Sequence, residues 1–170
     1  DVAFTYTENI KQIFIPSLVE TIGEDVFGRS SDLNYIGVDT NNQYYTSIDG
    51  VLYSKDTTSI ISVPTNKSGV FSIPYGVEVI DNFAFDGCKI ASVDIPTSVM
   101  RIKSAAFSSC KSLSEVHIPA SVSNIEGGAF RASENLYNLT IDSLNPNYAI
   151  IDRAIYSSNM DTLVSHHLAK

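Results

Sequence analysis

Ile95-Pro96-Thr97-Ser98-Val99-Met100-Arg101-Ile102-Lys103-Ser104-Ala105-Ala106-Phe107-Ser108-Ser109-Cys110-Lys111-Ser112-Leu113-Ser114-Glu115-Val116-His117-Ile118-Pro119 begins and ends on the same dipeptide, and the distance between the two copies sets the organisation of the chain. Ile118-Pro119 follows Ile95-Pro96 by 23 residues, Ile73-Pro74 precedes Ile95-Pro96 by 22, and Ile15-Pro16 carries the dipeptide near the start. Phenylalanine keeps the same beat at Phe85, Phe107 and Phe130, with Phe27 and Phe4 in the same place earlier. A fixed period of this length marks a repeat architecture, in which one coil cannot bury its apolar face alone and neighbours must stack.

Within each coil the apolar positions assign the structure. Leu113-x-x-Val116-x-Ile118 ends in a two-residue alternation, the period of a strand with one buried face, and Pro119 then stops the strand because it lacks an N–H. Val122-x-x-Ile125 and Ala129-Phe130 turn the chain back, and Leu136-x-x-Leu139-x-Ile141 starts again. The pattern predicts a solenoid of short parallel strands stacked in one sheet, mostly β, with irregular or short helical return segments. Phe4, Phe27, Phe85, Phe107 and Phe130 are expected to form ladders through its interior.

A longer period overlies the first. A shift of 103 residues lays Ile15-Pro16 on Ile118-Pro119, Asn42 on Asn145, Tyr45 on Tyr148, Ile48-Asp49 on Ile151-Asp152 and Tyr53-Ser54 on Tyr156-Ser157. Two β-rich runs around a polar turn read as inserted β-hairpins at about 47–63 and again at about 150–164. Residues 1–170 are expected to be a single solenoid fragment with partial coils at both ends, flanked on both sides by further coils of the same chain.

These residues resemble the BspA-like class of leucine-rich repeats, whose pattern stands here as Ile95-Pro96-x-x-Val99-x-x-Ile102-x-x-x-Ala106-Phe107-x-x-Cys110-x-x-Leu113-x-x-Val116. The resemblance covers nearly the whole chain. It implies a leucine-rich-repeat solenoid in a secreted or surface-exposed protein with a role in adhesion to host or neighbouring cells.

Composition narrows the chemistry. With 11 basic against 19 acidic residues, a formal net charge of -8 and a pI of about 4.7, the long-range field repels phosphate backbones and anionic membranes, so no nucleic-acid partner is expected. No apolar run approaches the roughly 20 residues that span a bilayer, so no membrane insertion by this segment is expected. Cys88 and Cys110 are 22 apart, the repeat itself, so they read as stacked ladder residues and not as a nucleophile or metal pair. His117 holds an outward strand position, and His166-His167 read as surface residues. No calcium loop, phosphate cradle or nucleophile elbow is present, and no catalytic, metal or cofactor site is expected.

What remains is the outward face of the repeated strand, aligned by stacking into one surface. Tyr35, Ser92, Asp94, Glu115, His117, Tyr137 and Asn138 are the candidate binding residues, because tyrosine offers contact area at low entropic cost among small polar groups. The expected function is recognition of a protein or glycan ligand through this surface and the protruding hairpins. The alternative is a structural spacer with no ligand of its own.

Overall fold

The structure is a computed structural model that describes residues 4–166. Its elements run in chain order. β1 (Gln12–Ile15) and β2 (Tyr35–Val38) pair in parallel, and a meander of β3 (Tyr45–Ile48), β4 (Val51–Ser54) and β5 (Ser59–Ser62) follows. Next come β6 (Ser68–Ser72), β7 (Val79–Ile80), β8 (Lys89–Asp94), β9 (Arg101–Ile102), β10 (Glu115–Ile118), β11 (Asn124–Ile125) and β12 (Asn138–Ile141). A second meander, β13 (Tyr148–Ile151), β14 (Ala154–Ser157) and β15 (Leu163–His166), completes the described residues.

Each coil delivers the expected strand, and β6, β8, β10 and β12 stack in parallel with like residues in register, such as Val116 beside Val93 and Leu139. The structure adds a second parallel ladder. The V-x-x-I segments supply the two-residue strands β7, β9 and β11, and β5 of the first meander joins them, in the order β11-β9-β7-β5-β4-β3. The interior lies between the two ladders.

No helix occurs among the described residues. The return segments turn instead on left-handed residues two before and two after the phenylalanine. Asp25, Phe83, Ala105 and Gly128 occupy the first position with φ from 52° to 71°, given that Phe83 stands at 56°. Tyr6, Arg29, Gly87, Ser109 and Ala132 occupy the second, all between 56° and 73°. Holding non-glycine residues there is unfavourable. It is tolerated because each coil repeats the conformation and its backbone bonds to the next, as in Phe85 N–H to Ala106 O at 2.8 Å and Phe107 N–H to Ala129 O at 2.7 Å.

The phenylalanine ladder is present but divided. Phe85, Phe107 and Phe130 are fully buried and stack at centroid distances of 4.7 and 5.3 Å, whereas Phe27 stacks only on Phe4, at 6.2 Å. The first meander separates the two stacks. On β4, Leu52 packs into a small core with Ile15, Phe27, Leu33 and Ile36, while its neighbours Val51 and Tyr53 pack into the large core with Phe85, Phe107 and Phe130. The alternation of a strand thus gives each core its own face of β4.

The expected protruding hairpin is therefore corrected to a three-stranded meander built into the solenoid, with Val51, Leu52 and Tyr53 all buried. Asp49-Gly50 is a tight turn in its own right, with φ of 50° and 77° at the two central residues between the paired Ile48 and Val51. Asp152-Arg153 repeats it at 49° and 64°.

A buried asparagine anchors each meander. Asn42 donates through Nδ2 to Pro16 O and Val19 O, both at 2.9 Å, and accepts at Oδ1 from the N–H groups of Tyr44 and Tyr45, both at 2.8 Å. Asn145 makes the same four bonds, donating to Pro119 O at 3.1 Å and Val122 O at 3.0 Å and accepting from the N–H groups of Asn147 at 2.9 Å and Tyr148 at 3.1 Å. Beside them the Tyr45 hydroxyl accepts from Ile22 N–H and the Tyr148 hydroxyl from Ile125 N–H.

Candidate functional site

Strand pairing places the candidate residues in two groups. Ser92, Asp94, Glu115, His117 and Asn138 lie on the four-stranded sheet, with Tyr137 directly before β12. Tyr35 lies on the separate β1–β2 pair, so the continuous surface expected from stacking is interrupted. Between the two groups the Asp49-Gly50 turn reaches the face, where Gly50 O accepts from Ile36 N–H at 2.9 Å and the Tyr35 ring covers Gly50. A Cβ on Gly50 would sit 2.5 Å from the Tyr35 ring.

Register sets what the polar residues do. Paired positions on adjacent strands bond across the ladder: Ser72 Oγ to Asp94 Oδ2 at 2.8 Å, Asn138 Nδ2 to Glu115 Oε1 at 2.9 Å, and His117 Nδ1 with Thr140 Oγ1 at 3.0 Å. Ser92 and Asn138 are half-buried, while Asp94, Glu115 and His117 are exposed.

Apolar groups stand among these pairs without cover. Tyr137 is 69% exposed, Val70 66%, Phe14 64% and Tyr35 45%. Phe14 and Val70 escaped the sequence reading, although Phe14 holds the outward position between Ile13 and Ile15 that His117 holds in β10. Gly37, paired with Phe14 in the register of β1 and β2, is buried beneath the Phe14 and Tyr35 rings, and a Cβ there would lie 2.9 Å from Phe14. At the interruption a groove of about 260 Å³ runs between Ile48-Asp49 and β6, lined by Lys67, Ser68, Val70 and Phe71. Among the described residues no strand pairs with the β6 edge that borders it.

The cysteines are arranged for packing. Cys110 and Cys88 are free and buried, and their ladder position is one of donation to the preceding coil: Cys110 Sγ–H to Phe85 O at 3.0 Å, Ser133 Oγ–H to Phe107 O at 2.6 Å, and Ser30 Oγ–H to Phe4 O. Cys88 Sγ–H donates to Val63 O at 3.4 Å. His117 is exposed on its strand, His166 closes β15, and His167 lies outside the described residues. No group of three or more potential metal ligands forms among the described residues.

Burial pushes the Cys110 thiol up to about 12, against weaker relief from backbone N–H groups, and lifts Cys88 well above its ordinary value for the same reason. A folded-state value above the unfolded one stabilises the fold fully below the unfolded value and loses that contribution as pH rises toward the folded value. Native protein at pH 8 should therefore leave both thiols unreacted with a disulfide reagent, and stability should fall from about pH 9 toward pH 12. Tyr53, also raised to about 12 by burial, titrates in the same window, so Cys110→Ser should reduce the alkaline loss without abolishing it. Rapid native labelling at pH 8 would contradict the assignment.

The sequence matches the family described as BspA type leucine-rich repeat region, in six copies, over residues 1–70 and 65–167. The chain belongs to the BspA-type leucine-rich-repeat family. The solved structure of a leucine-rich repeat protein from Eubacterium ventriosum ATCC 27560 is similar to this BspA-type chain, with 29% identity and a TM-score of 0.74, over 79% of this chain and 39% of that one. The pneumococcal vaccine antigen PcpA is similar in fold, with 24% identity and a TM-score of 0.70 over 99% of this chain and 45% of its own. This BspA-type chain therefore spans less than half the length of either structure. No curated protein matches it.

Proposed function

We propose that this chain is a binding module of a cell-surface or secreted protein, contacting a protein or glycan ligand through the outward strand face on either side of the Asp49-Gly50 turn. The observation that carries the reading is the set of uncovered Phe14, Tyr35, Val70 and Tyr137 side chains on a face whose polar groups are largely bonded to one another. Aromatic anchors surrounded by satisfied polar pairs are the composition of recognition patches, where a few residues supply most of the binding energy. Membership of a repeat family, and a fold whose strands stack into a four-stranded face beside the β1–β2 pair, support a binding role without chemistry.

The test is an array of glycans and extracellular matrix proteins probed with the chain and with Phe14→Ala, Tyr35→Ala and Tyr137→Ala. Reproducible binding to one class, weakened about tenfold or more by an aromatic substitution that leaves the melting curve in place, is the expected result. Binding that none of the three substitutions alters would remove the strand face from consideration. Silence across the array would favour a spacer that only holds other parts of the protein at a distance.

A further inference from the structure

A second surface lies away from the strand face, at the corner where the return segment enters the next strand. The left-handed ladder Tyr6, Arg29, Gly87, Ser109 has no side chain at Gly87, and Arg29 crosses that coil to reach beyond it. Its Nη2 donates to Ser109 Oγ at 3.0 Å, its Nε to Asp86 Oδ2 at 2.9 Å, and its Nη1 to the Tyr6 hydroxyl. Any Cβ at Gly87 would come within 3.0 Å of Arg29 Cγ, so glycine here makes the crossing possible. The result is a cleft of about 500 Å³ lined by Tyr6, Arg29, Lys89, Ser109, Lys111 and Ser112.

Three of the chain's 11 basic residues converge on this cleft in a protein of net charge -8. Lys89 and Lys111 hold the same position in adjacent coils and line the same cleft, so two like charges share it, an arrangement that is unfavourable unless relieved. No carboxylate relieves it, because Asp86 is spent on Arg29 and the ion pairs among the described residues are Arg29–Asp86 and Lys103–Asp81. Lys89 donates to Ser31 O at 3.0 Å and Asn66 Oδ1 at 2.7 Å, and Lys111 forms no side-chain hydrogen bond among the described residues. An ammonium has three donors, so both lysines keep unused N–H groups, as does the guanidinium of Arg29.

We propose that this corner cleft is a binding site for an anionic saccharide, with the charged group held by Lys89, Lys111 and Arg29 and the sugar body lying over Gly87 among Ser109, Ser112 and the Tyr6 ring. The volume suits one or two sugar rings, and the lining joins cations with hydroxyls and an exposed aromatic face, the mixture that holds a charged sugar against water. The charged group is a sulfate ester or a carboxylate, which share this chemistry. The site is independent of the strand face, and either can fail without the other.

Amide chemical-shift titration distinguishes the cases, with three probes: a sulfated disaccharide, an unsulfated uronic-acid disaccharide and a neutral disaccharide. The expected result is saturable shifts at Gly87, Ser109 and Lys111 with a charged probe, absent with the neutral one, and weakening as salt rises. A response to the sulfated probe alone assigns a sulfate, and equal responses to both charged probes assign charge alone. Lys111→Gln, which removes no bond within the protein, should weaken binding about tenfold with an unchanged melting curve, as loss of one charge-assisted hydrogen bond predicts. Lack of shifts with both charged probes, shifts equal to those of the neutral probe, or unchanged affinity in Lys111→Gln would overturn the proposal.

Discussion

Asn42→Ala is expected to lower the thermal midpoint by roughly 10 °C, the largest effect of any polar substitution in the chain. Asn42 is fully buried, and its one side chain satisfies two carbonyls and two N–H groups across a break in regular pairing. Alanine leaves Val19 O and the amides of Tyr44 and Tyr45 without their partner, and leaves Pro16 O with only the 3.3 Å bond from Val19 N–H. An abandoned buried polar group costs about 1 to 3 kcal/mol, and partial hydration of the four brings the sum to about 3 to 5 kcal/mol. Asn41→Ala is the control, since Asn41 is exposed and the bonds at this residue run through its backbone. A thermal melt followed by circular dichroism reads both. Similar midpoints for the two variants would show that the asparagine is a passenger in its turn.

Phe107→Ala should have an effect of comparable size in the other core. The ring is fully buried between Phe85 and Phe130, nearly parallel to each, at 21° and 3°. Truncation removes about 3 to 5 kcal/mol by lost transfer energy and the cavity left behind, and the loss of two ring contacts adds to it. Collapse into the cavity is restrained because the ladder is held at fixed spacing by the strands on both sides. Phe4→Ala, at a ring that is 38% exposed and stacked on one side only, should cost much less, and Tyr35→Ala less again. Urea unfolding of the three variants gives the order directly. An effect of Phe107→Ala no larger than that of Phe4→Ala would mean that the ladder does not govern stability.

These two residues also mark what the sequence made legible. Phe107 announced itself, because a large apolar residue recurring every 22 or 23 positions has few uses other than stacking. Asn42 was visible only as an identity with Asn145 at the 103-residue offset, and identity alone does not say that the side chain is buried or which groups it holds. The second parallel ladder was hidden for another reason. Strands as short as Val79–Ile80 and Arg101–Ile102 contain too few residues to display a period.

The returns were hard to read because their left-handed positions are filled by Asp25, Phe83, Ala105 and Ser109, which carry none of glycine's turn signal. The strand face was anticipated position by position but not in its division, since nothing local to Tyr35 reveals that a turn 14 residues later will lie beside it. The corner cleft depends on a missing side chain at Gly87 and an arginine from the coil before it, a juxtaposition that only the stacked structure displays.

Because Leu52 looks one way and Val51 and Tyr53 the other, β4 is a seam at which the protein can be edited. A cut made between equivalent points of β4 and β14 removes or inserts one block of 103 residues, and each half of the seam meets the same kind of partner as before. A change of one coil inside the block has no such protection, because it alters which rings stack and where the asparagine falls. Changes in length that leave both faces of the seam covered therefore come in whole blocks.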